Sequence, residues 1–302
     1  MKIHKLAAID IGSNSIRLLV SNVFTDATQE QVVFKKSSLT RLPVRLGPDA
    51  FKKGEISGKN IEKLIVSMSA YARIMEVHEV ERYRACATSA LREASNGIEV
   101  TREIYRQTGI NVELIDGKEE ARIIFNSDFT GVIPDDASSF MYIDVGGGST
   151  ELTLFHQSKI VASRSFRIGT IRLLKRMVDK SHWEKMHQWI SEVTEGIDDV
   201  LMVGSGGNIN RTFKLSGNKM GVPLKKKYLK QTYNELNKCS TEERMLKYDL
   251  NPDRADVITH ALRIYTRAMD WSGAKKMLVP KKGLADGIVR NLYREYYHRP
   301  GK

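Results

Sequence analysis

A short phrase occurs twice in the chain, and this repetition restricts the possible folds more than any other feature. Residues 9–15 read IDIGSNS and residues 143–149 read IDVGGGS, so Ile, Asp, Gly and Ser return at the same places 134 residues later. Each copy follows an apolar run, LAA before the first and FMY before the second. Two apolar runs joined by a tight turn are typical of a β-hairpin. We therefore expect two similar half-molecules, each beginning with such a hairpin.

Between and after the two hairpins the chain alternates strand-like and helical patterns, which predicts a mixed α/β fold. Apolar residues recur at helical spacing from Gly58, and residues 111–115 predict a short strand before a helix that starts at Gly117. After the second hairpin we expect a helix from about Ser165 to Ile197, then a strand, a glycine turn and a helix at 201–215. Two homologous units packed together would leave a cleft, with their equivalent turns directed into it.

The length of 302 residues allows two domains, because domains usually contain about 100–200 residues. We expect a first domain at 1–128 and a second at 129–283, since PDDASS at 134–139 is a loop suited to a boundary. A C-terminal helix at 284–302 could complete the first domain.

The positive charge is confined to the last third of the chain. Residues 211–302 contain 21 Lys and Arg against 9 Asp and Glu, so this third accounts for the whole net charge of +12. Such asymmetry attracts polyanions, although a solvated basic surface with no partner explains it equally well. We expect no specific nucleic-acid partner.

The remaining bulk features indicate a cytoplasmic protein. No run of about 18 apolar residues predicts a membrane span, and the N-terminus lacks the pattern of a signal peptide. Cys86 and Cys239 lie outside any CxxC pattern and are expected to be free thiols, and the seven histidines form no metal-binding spacing. We also expect a homodimer.

The glycine-rich turn of the second hairpin is suited to binding phosphate. Three glycines would let the backbone approach a ligand, adopt φ > 0 and direct successive N–H groups at an anion. Ser149 and Thr150 add hydroxyl donors, and Asp144 before the turn would hold Mg²⁺ rather than phosphate. A plain tight hairpin is the alternative for an isolated copy. The glycines concerned are Gly146, Gly147 and Gly148.

The turn of the first hairpin carries side-chain donors in place of glycines. Ser13, Asn14 and Ser15 supply them, and Arg17 adds a guanidinium that can bind a phosphate with two hydrogen bonds. Arg17 could also be an ordinary surface arginine. Asp10 precedes this turn as Asp144 precedes the other.

A third glycine-rich turn, VGSGGN, occupies residues 203–208 after an apolar run and before a helix. It is not GxGxxG, so a dinucleotide-binding Rossmann turn is excluded. Helix N-termini after glycines still bind phosphate or ribose, although this signal is weak alone. The candidate residues are Gly204, Ser205, Gly206 and Gly207.

Five motifs together resemble one family. They are IDIGSNSIRLLV, CATSALREASN, IDGKEEARIIF, YIDVGGGSTEL and VGSGGN, and they occur in the order found in the exopolyphosphatase / guanosine pentaphosphate phosphohydrolase family. That family belongs to the wider fold of actin, sugar kinases and heat-shock ATPases. The resemblance implies a duplicated ribonuclease-H-like fold of two domains with an interdomain cleft. It also implies Mg²⁺-dependent release of terminal phosphate from a phosphoanhydride chain.

The resemblance assigns roles to residues of this sequence. It makes Glu120 the general base, Asp144 and Glu151 the catalytic acids that hold the metal, and Asp10 the matching metal ligand in the first half. Without the resemblance, the Glu119–Glu120 pair would be read as ordinary charge at a helix N-terminus. The chemistry fits independently, because anhydride hydrolysis needs a positioned water, a base and cations over the phosphoryl group. The implied phosphate ligands near the helix after CATSA are Thr88, Ser89 and Arg92.

The chain departs from the family pattern near its end. Long members carry a further helical domain, whereas this sequence stops at 302, which predicts the short two-domain form. The late segment PKKGLADGIV replaces the usual residues, and Lys281 and Lys282 could act as phosphate contacts there. The expected substrate is inorganic polyphosphate, with guanosine pentaphosphate as the alternative. A non-hydrolytic phosphate or nucleotide sensor of the same fold is a further alternative.

Overall fold

The structure is a computed structural model that describes residues 1–26, 31–125, 133–134, 139–157, 159–197 and 200–297. The chain divides into two compact units. The first unit comprises Met1–Asp128 and Gly283–Lys302, and the second comprises Phe129–Lys282. Within the predicted boundary loop PDDASS, residues 135–138 lie outside the described residues.

The first unit begins with three strands and continues with alternating helices and strands. Its elements are β1 (Lys2–Ile11), β2 (Ile16–Thr25), β3 (Val32–Leu42), α1 (Gly47–Lys52), α2 (Gly58–Val77), β4 (Arg82–Ala87), α3 (Ser89–Glu93), α4 (Gly97–Thr108), β5 (Val112–Leu114) and α5 (Gly117–Phe125).

The second unit repeats this order and adds helices before its last strand. Its elements are β6 (Ser139–Val145), β7 (Thr150–His156), β8 (Lys159–Phe166), α6 (Thr170–Leu174), α7 (Lys180–Val193), β9 (Leu201–Ser205), α8 (Gly207–Leu215), β10 (Leu224–Lys225), α9 (Lys226–Lys238), α10 (Thr241–Tyr248), α11 (Pro252–Ala255), α12 (Ile258–Trp271) and β11 (Lys276–Leu278). The closing helix α13 (Leu284–Tyr296) returns to the first unit.

The two sheets have the same strand order. The first sheet is ordered β3-β2-β1-β4-β5, and the second is ordered β8-β7-β6-β9-β11 with the short β10 added at its edge. In each sheet the first three strands are antiparallel neighbours, and the next two run parallel to the first. This is the ribonuclease-H-like order, and it occurs twice. The predicted duplicated α/β fold is therefore confirmed.

The central strand of each sheet is packed against a helix. In β1 every residue from Leu6 to Ile11 is buried, and α13 packs against it. In the second unit α12 packs on β6, and α12 buries nine of its 14 residues, among them Leu262 and Tyr265. These helices anchor the strands from which the functional turns emerge.

The prediction of one helix from Ser165 to Ile197 is wrong in its first part. Strand β8 continues to Phe166, and two separate helices, α6 and α7, follow it. Strand β8 lies at the edge of its sheet with seven of its eight side chains at least partly exposed, so it lacks the apolar alternation of a half-buried strand. None of the helices in the described part of the chain is long and apolar enough to cross a membrane.

Candidate active site

The two repeated phrases form hairpin turns with the same backbone geometry. In the first hairpin the register pairs Ile11 with Ile16, and Gly12 N donates to Ser15 O at 3.1 Å. In the second hairpin the register pairs Val145 with Thr150, and Gly146 N donates to Ser149 O at 3.0 Å. A Cβ atom on either first glycine would lie 3.2 Å from that serine oxygen. Each turn therefore contains four residues. It begins two residues after the aspartate of the preceding strand.

The prediction that the three glycines of the second hairpin adopt positive φ is wrong. Gly146, Gly147 and Gly148 are not among the described glycines with positive φ. The turn instead packs tightly against the start of α6, where a Cβ on Gly169 would lie 2.3 Å from Gly147 O. The N–H groups of Thr170 and Ile171 bind the carbonyls of Gly146 and Gly147 at 3.0 and 2.9 Å. The free N–H groups of this helix end are thus used to fix the turn.

The turn of the first hairpin is bound to the beginning of α3. Ser13 Oγ and Ser89 Oγ lie 2.9 Å apart, and both side chains are buried. Thr88 donates its backbone N–H to Ile11 O at 3.1 Å, and its hydroxyl lies 3.4 Å from the same oxygen. The structure therefore brings Ser13, Thr88 and Ser89 together, as the sequence predicts for residues that bind one ligand.

Asp10 and Arg17 are bound to each other. They face one another across β1 and β2, and Arg17 Nη1 donates to Asp10 Oδ2 at 3.0 Å. Burial raises the pKa of Asp10, and the charge and hydrogen bond of Arg17 offset part of this effect. The sequence predicts that Asp10 binds the metal and that Arg17 binds phosphate, whereas in the structure the two side chains form an ion pair with each other. Arg17 keeps one third of its side chain exposed.

In the second unit Asp144 lies beside two other predicted residues. It is the register partner of Glu151 in β7 and of Ser205 in β9. Gly206 has φ of 115°, and a Cβ there would lie 3.3 Å from Asp144 Oδ1. Glu151 is buried, and its Oε1 accepts hydrogen bonds from Ser149 at 2.5 Å and from Ser165 at 3.0 Å. The third glycine turn therefore adjoins the carboxylates of the second hairpin.

Two residues that the sequence analysis missed hold these turns in place. Arg172 is buried, and its Nε donates to Gly148 O at 2.8 Å. Tyr265 is buried in α12, and its hydroxyl donates to Ser205 O. Burial and the nearby charge of Asp144 raise the pKa of Tyr265, so it stays a neutral donor. An arginine within the apolar run IGTIRLL was a visible signal, but Tyr265 looked like any core residue of its helix.

Glu120 and Glu119 occupy different environments in the first turn of α5. Glu120 is buried with 8% of its surface exposed, whereas Glu119 lines an open polar groove of about 560 Å³. Glu119 forms ion pairs with Arg122 at 2.9 Å and with Arg84 at 3.5 Å. The structure therefore distinguishes the two glutamates, which the sequence places side by side.

Arg92 fixes the loop before this helix. Its Nη1 donates to Ile115 O at 2.6 Å, directly before the Asp116 side chain that accepts the N–H of Glu119 at 2.8 Å. Glu120 N binds Asp116 O at 2.9 Å. Arg92 therefore positions the segment that carries Glu120, in addition to any contact with phosphate.

The remaining predicted residues divide between packing and the neighbourhood of Asp144. Gly204 has a packing role, since a Cβ there would lie 2.7 Å from Met277 Sδ. Gly207 begins α8. Lys282 contributes its carbonyl oxygen, which lies 3.2 Å from Ser205 Oγ, and Lys281 Nζ lies 5.2 Å from the ring centroid of Phe213.

The carboxylates fit a magnesium ion by their chemistry. No group of three or more His, Cys, Asp or Glu side chains forms a complete metal site among the residues that the structure describes. Mg²⁺ does not require one, because it is usually bound by one or two carboxylates and completes its shell with water and phosphate oxygens. Asp144 and Glu151, paired in register at the end of β6, offer this number of ligands.

Comparison with known proteins identifies the family. The profile of the Ppx/GppA phosphatase family matches residues 25–295. The chain belongs to this family.

Among its relatives, this Ppx/GppA member is 26% identical to a bifunctional 3-dehydroquinate synthase/phosphatase of Fusobacterium nucleatum, over 94% of this chain and 46% of the relative. It is 33% identical to exopolyphosphatase 2 of Mycobacterium tuberculosis, over 58% of this chain and 56% of the relative. The chain thus spans about half the length of the curated relatives it matches.

Two solved structures share the fold. A Ppx/GppA family member of Aquifex aeolicus has a TM-score of 0.79 at 23% identity and covers 99% of this chain and 100% of its own. An exopolyphosphatase of Cytophaga hutchinsonii has a TM-score of 0.81 at 21% identity, with 97% of each chain covered. This similarity confirms the arrangement of two ribonuclease-H-like units seen in the strand order.

Proposed function

We propose that the protein hydrolyses the terminal phosphate of inorganic polyphosphate. The observation that carries the proposal is the pair of matching hairpins, each with an aspartate placed two residues before an identical four-residue turn. Membership of a phosphatase family and similarity to an exopolyphosphatase support it. A phosphoanhydride chain is highly charged along its length, so it is a suitable substrate for a protein with phosphate-binding turns.

In this proposal Glu120 orients the attacking water and accepts its proton. A buried carboxylate in the first turn of a helix is held rigidly, which favours a base that must act in one geometry. Arg92 keeps the loop before Glu120 in place through Ile115 O. The neighbouring Glu119 is neutralised by Arg122 and Arg84 and has no part in the chemistry.

Asp144 and Glu151 would hold Mg²⁺, and Asp10 is the corresponding candidate metal ligand of the first unit. Bound Mg²⁺ supplies positive charge over the transferring phosphoryl group. Ser149 and Ser165 orient Glu151 by donating hydrogen bonds to the same carboxylate oxygen, Oε1. Arg17 adds a guanidinium next to Asp10 for the phosphate chain.

The other phosphate ligands come from the two turns and the segments bound to them. In the first unit they are Ser13, Asn14, Ser15, Thr88 and Ser89, and in the second they are Gly146, Gly147, Gly148 and Ser149. The turn of Gly204, Ser205, Gly206 and Gly207, with Lys281 and Lys282, would provide further contacts to the polyphosphate or nucleotide.

Phosphate release from defined substrates tests the proposal. The protein is incubated with Mg²⁺ and either polyphosphate of defined lengths, guanosine pentaphosphate or ATP, and released phosphate is measured. We expect release from polyphosphate. Faster release from guanosine pentaphosphate would replace the proposal by the alternative substrate, and no release from any of the three would reject hydrolysis.

Glu120→Gln tests the assignment of the base. We expect phosphate release to fall by about 100-fold or more, because the amide cannot accept the proton from water. Substrate binding should persist, since the variant keeps the shape of the side chain. Glu119→Gln is the matched control and should retain activity within about threefold, because it weakens only the partly exposed ion pairs with Arg122 and Arg84, and such pairs contribute little. Equal losses in the two variants would contradict the assignment.

A further inference from the structure

A groove in the second unit is lined by aromatic and basic side chains that have no part in the proposed catalysis. It has a volume of about 460 Å³, which lies within the range of about 300–1,000 Å³ typical of small-molecule sites. It lies where α7 packs against α12. The residues that line it include Lys180, Trp183, His187, Arg263, Arg267 and Trp271.

Helical spacing in the sequence builds this groove. Trp183 and His187 are four residues apart on α7, so both lie on one face of that helix. Arg263, Arg267 and Trp271 follow at successive steps of four on α12 and form the facing row. The α7 face therefore presents two rings, and the α12 face opposite it presents two guanidinium groups and a third ring.

The arginines of the groove carry positive charge that has no carboxylate partner in the described part of the chain. The guanidinium carbons of Arg263 and Arg267 lie 5.3 and 4.5 Å from the ring centroid of Trp183, and neither group forms an ion pair there. Burial and the charge of Arg263 lower the pKa of Arg267. Two half-buried cations that repel each other favour an anion between them.

The two carboxylates at the rim of the groove are engaged elsewhere. Glu184 forms an ion pair with Lys180 at 3.2 Å. Asp179 is the N-cap of α7 and binds His182 through both its backbone N–H and its ring, at 3.1 and 2.7 Å. They therefore leave the charge of the two arginines uncompensated.

The rings provide a flat surface beside the guanidinium groups. His187 is stacked on Trp271 with 4.9 Å between ring centroids and 24° between ring planes. Trp183 meets Trp271 edge to face at 6.1 Å. Trp183 is buried, whereas Trp271 is partly exposed and His187 is exposed. A planar ligand can thus stack on partly exposed rings while its charged group reaches the arginines.

We propose that this groove binds a mononucleotide, with its phosphate on Arg263 and Arg267 and its base against Trp271 and His187. Guanidinium groups bind phosphate with paired, charge-assisted hydrogen bonds, and every base has a face that can stack. The site shares no residue with the proposed catalytic set and does not depend on the proposed function.

Calorimetric titration of the full chain with AMP, GMP, adenosine and inorganic phosphate tests the proposal. AMP and GMP should bind with similar Kd, because stacking tolerates different bases. Adenosine and phosphate should each bind at least about 10-fold more weakly, since each lacks one half of the ligand. No binding of AMP or GMP, or phosphate binding as tightly as AMP, would overturn the proposal.

Variants locate the nucleotide within the molecule. Arg267→Gln should weaken AMP binding by about 10-fold or more, through the loss of a charge-assisted hydrogen bond. Arg164→Gln is the matched control and should leave AMP binding unchanged, because Arg164 lies 5.3 Å from the ring centroid of Phe166, outside the groove. His187 is exposed, so the variant His187→Ala should fold normally. It should weaken the binding of AMP but not the binding of phosphate. Unchanged AMP affinity in both groove variants would place the nucleotide elsewhere.

Discussion

At the scale of single residues, Asp10 is a carboxylate whose burial carries a cost to the fold. Its carboxylate is buried at the end of the central strand, and burial raises its pKa above the ordinary value of 3.8. Arg17 offsets part of this cost through one hydrogen bond. A buried charge that is only partly compensated is typical of a residue kept for its chemistry.

Asp10→Asn should stabilise the protein at neutral pH. A carboxyl group with a raised pKa is harder to ionise in the folded state than in the unfolded state, so its ionisation lowers stability as the pH rises. The amide removes this cost, and the melting temperature should rise at pH 7. The gain should shrink as the pH is lowered and disappear below the ordinary value of 3.8, where the wild-type group is protonated in both states.

Thermal unfolding at several pH values measures this effect, and Arg17→Gln is the companion variant. It removes the partial compensation and should lower the melting temperature at pH 7. A stabilising effect of Asp10→Asn that grows at low pH would contradict the argument.

At the scale of elements, the fold depends on close contacts that only glycine permits. Gly287 lies inside α13, where a Cβ would be 2.1 Å from Ile123 O of α5. Gly169, at the start of α6, makes a similarly close contact with the glycine-rich turn of the second hairpin. Such residues fix the distance between a helix and its neighbour and thereby the position of the turns that the helix supports.

Gly287→Ala should destabilise the protein by about 1–3 kcal/mol through overpacking. Alanine is the better helix former by about 1 kcal/mol, so a helix that packed loosely at this point would be stabilised instead. The Ile123 carbonyl belongs to the backbone and cannot move aside easily, and we therefore expect the steric cost to exceed the gain.

Urea unfolding measures the free energy of the variant. Gly58→Ala is the matched control, because Gly58 begins α2 with nothing within 4 Å of the added Cβ. It should leave the free energy of unfolding unchanged or slightly higher. Stabilisation in both variants would contradict the close contact between Gly287 of α13 and the Ile123 carbonyl of α5.

At the scale of the whole molecule, the net charge is the property with the clearest consequence. The excess of +12 lies in residues 211–302, and its densest groups are Lys225–Lys227, Lys275–Lys276 and Lys281–Lys282. Some of this charge is compensated, since Lys226 and Lys230 both pair with Asp270, at 3.4 and 2.8 Å. Lys225, Lys227, Lys275 and Lys276 are exposed.

Raising the salt concentration should weaken the binding of long polyphosphate more than that of short polyphosphate. A longer chain meets more of the exposed basic surface, and salt screens these contacts over about 10 Å at 0.1 M. The measurement compares the salt dependence of KM for two chain lengths, with a nucleotide as the short control. The same dependence for all three would exclude a contribution from this surface.

Much of the fold followed from the sequence. The repeated phrase predicted two related units, and the strand order repeats as expected because apolar runs around a tight turn can pair only as a hairpin. Helix α2 was visible in its apolar spacing, and the start of α5 was predicted at Gly117. The edge strand β8 was not, because a strand with mostly exposed side chains carries no alternating pattern.

The sequence by itself determined which residue types stand at the two turns and the family to which the chain belongs. Only the tertiary structure decided how they are used. It paired Asp10 with Arg17, gave the three glycines a packing role, and placed Arg172 and Tyr265 behind the turns. These contacts join residues that are distant in the chain or on different elements, and local patterns contain no information about them. Glu120 is buried whereas Glu119 is not. This difference likewise arises from packing, because the two residues are of the same type.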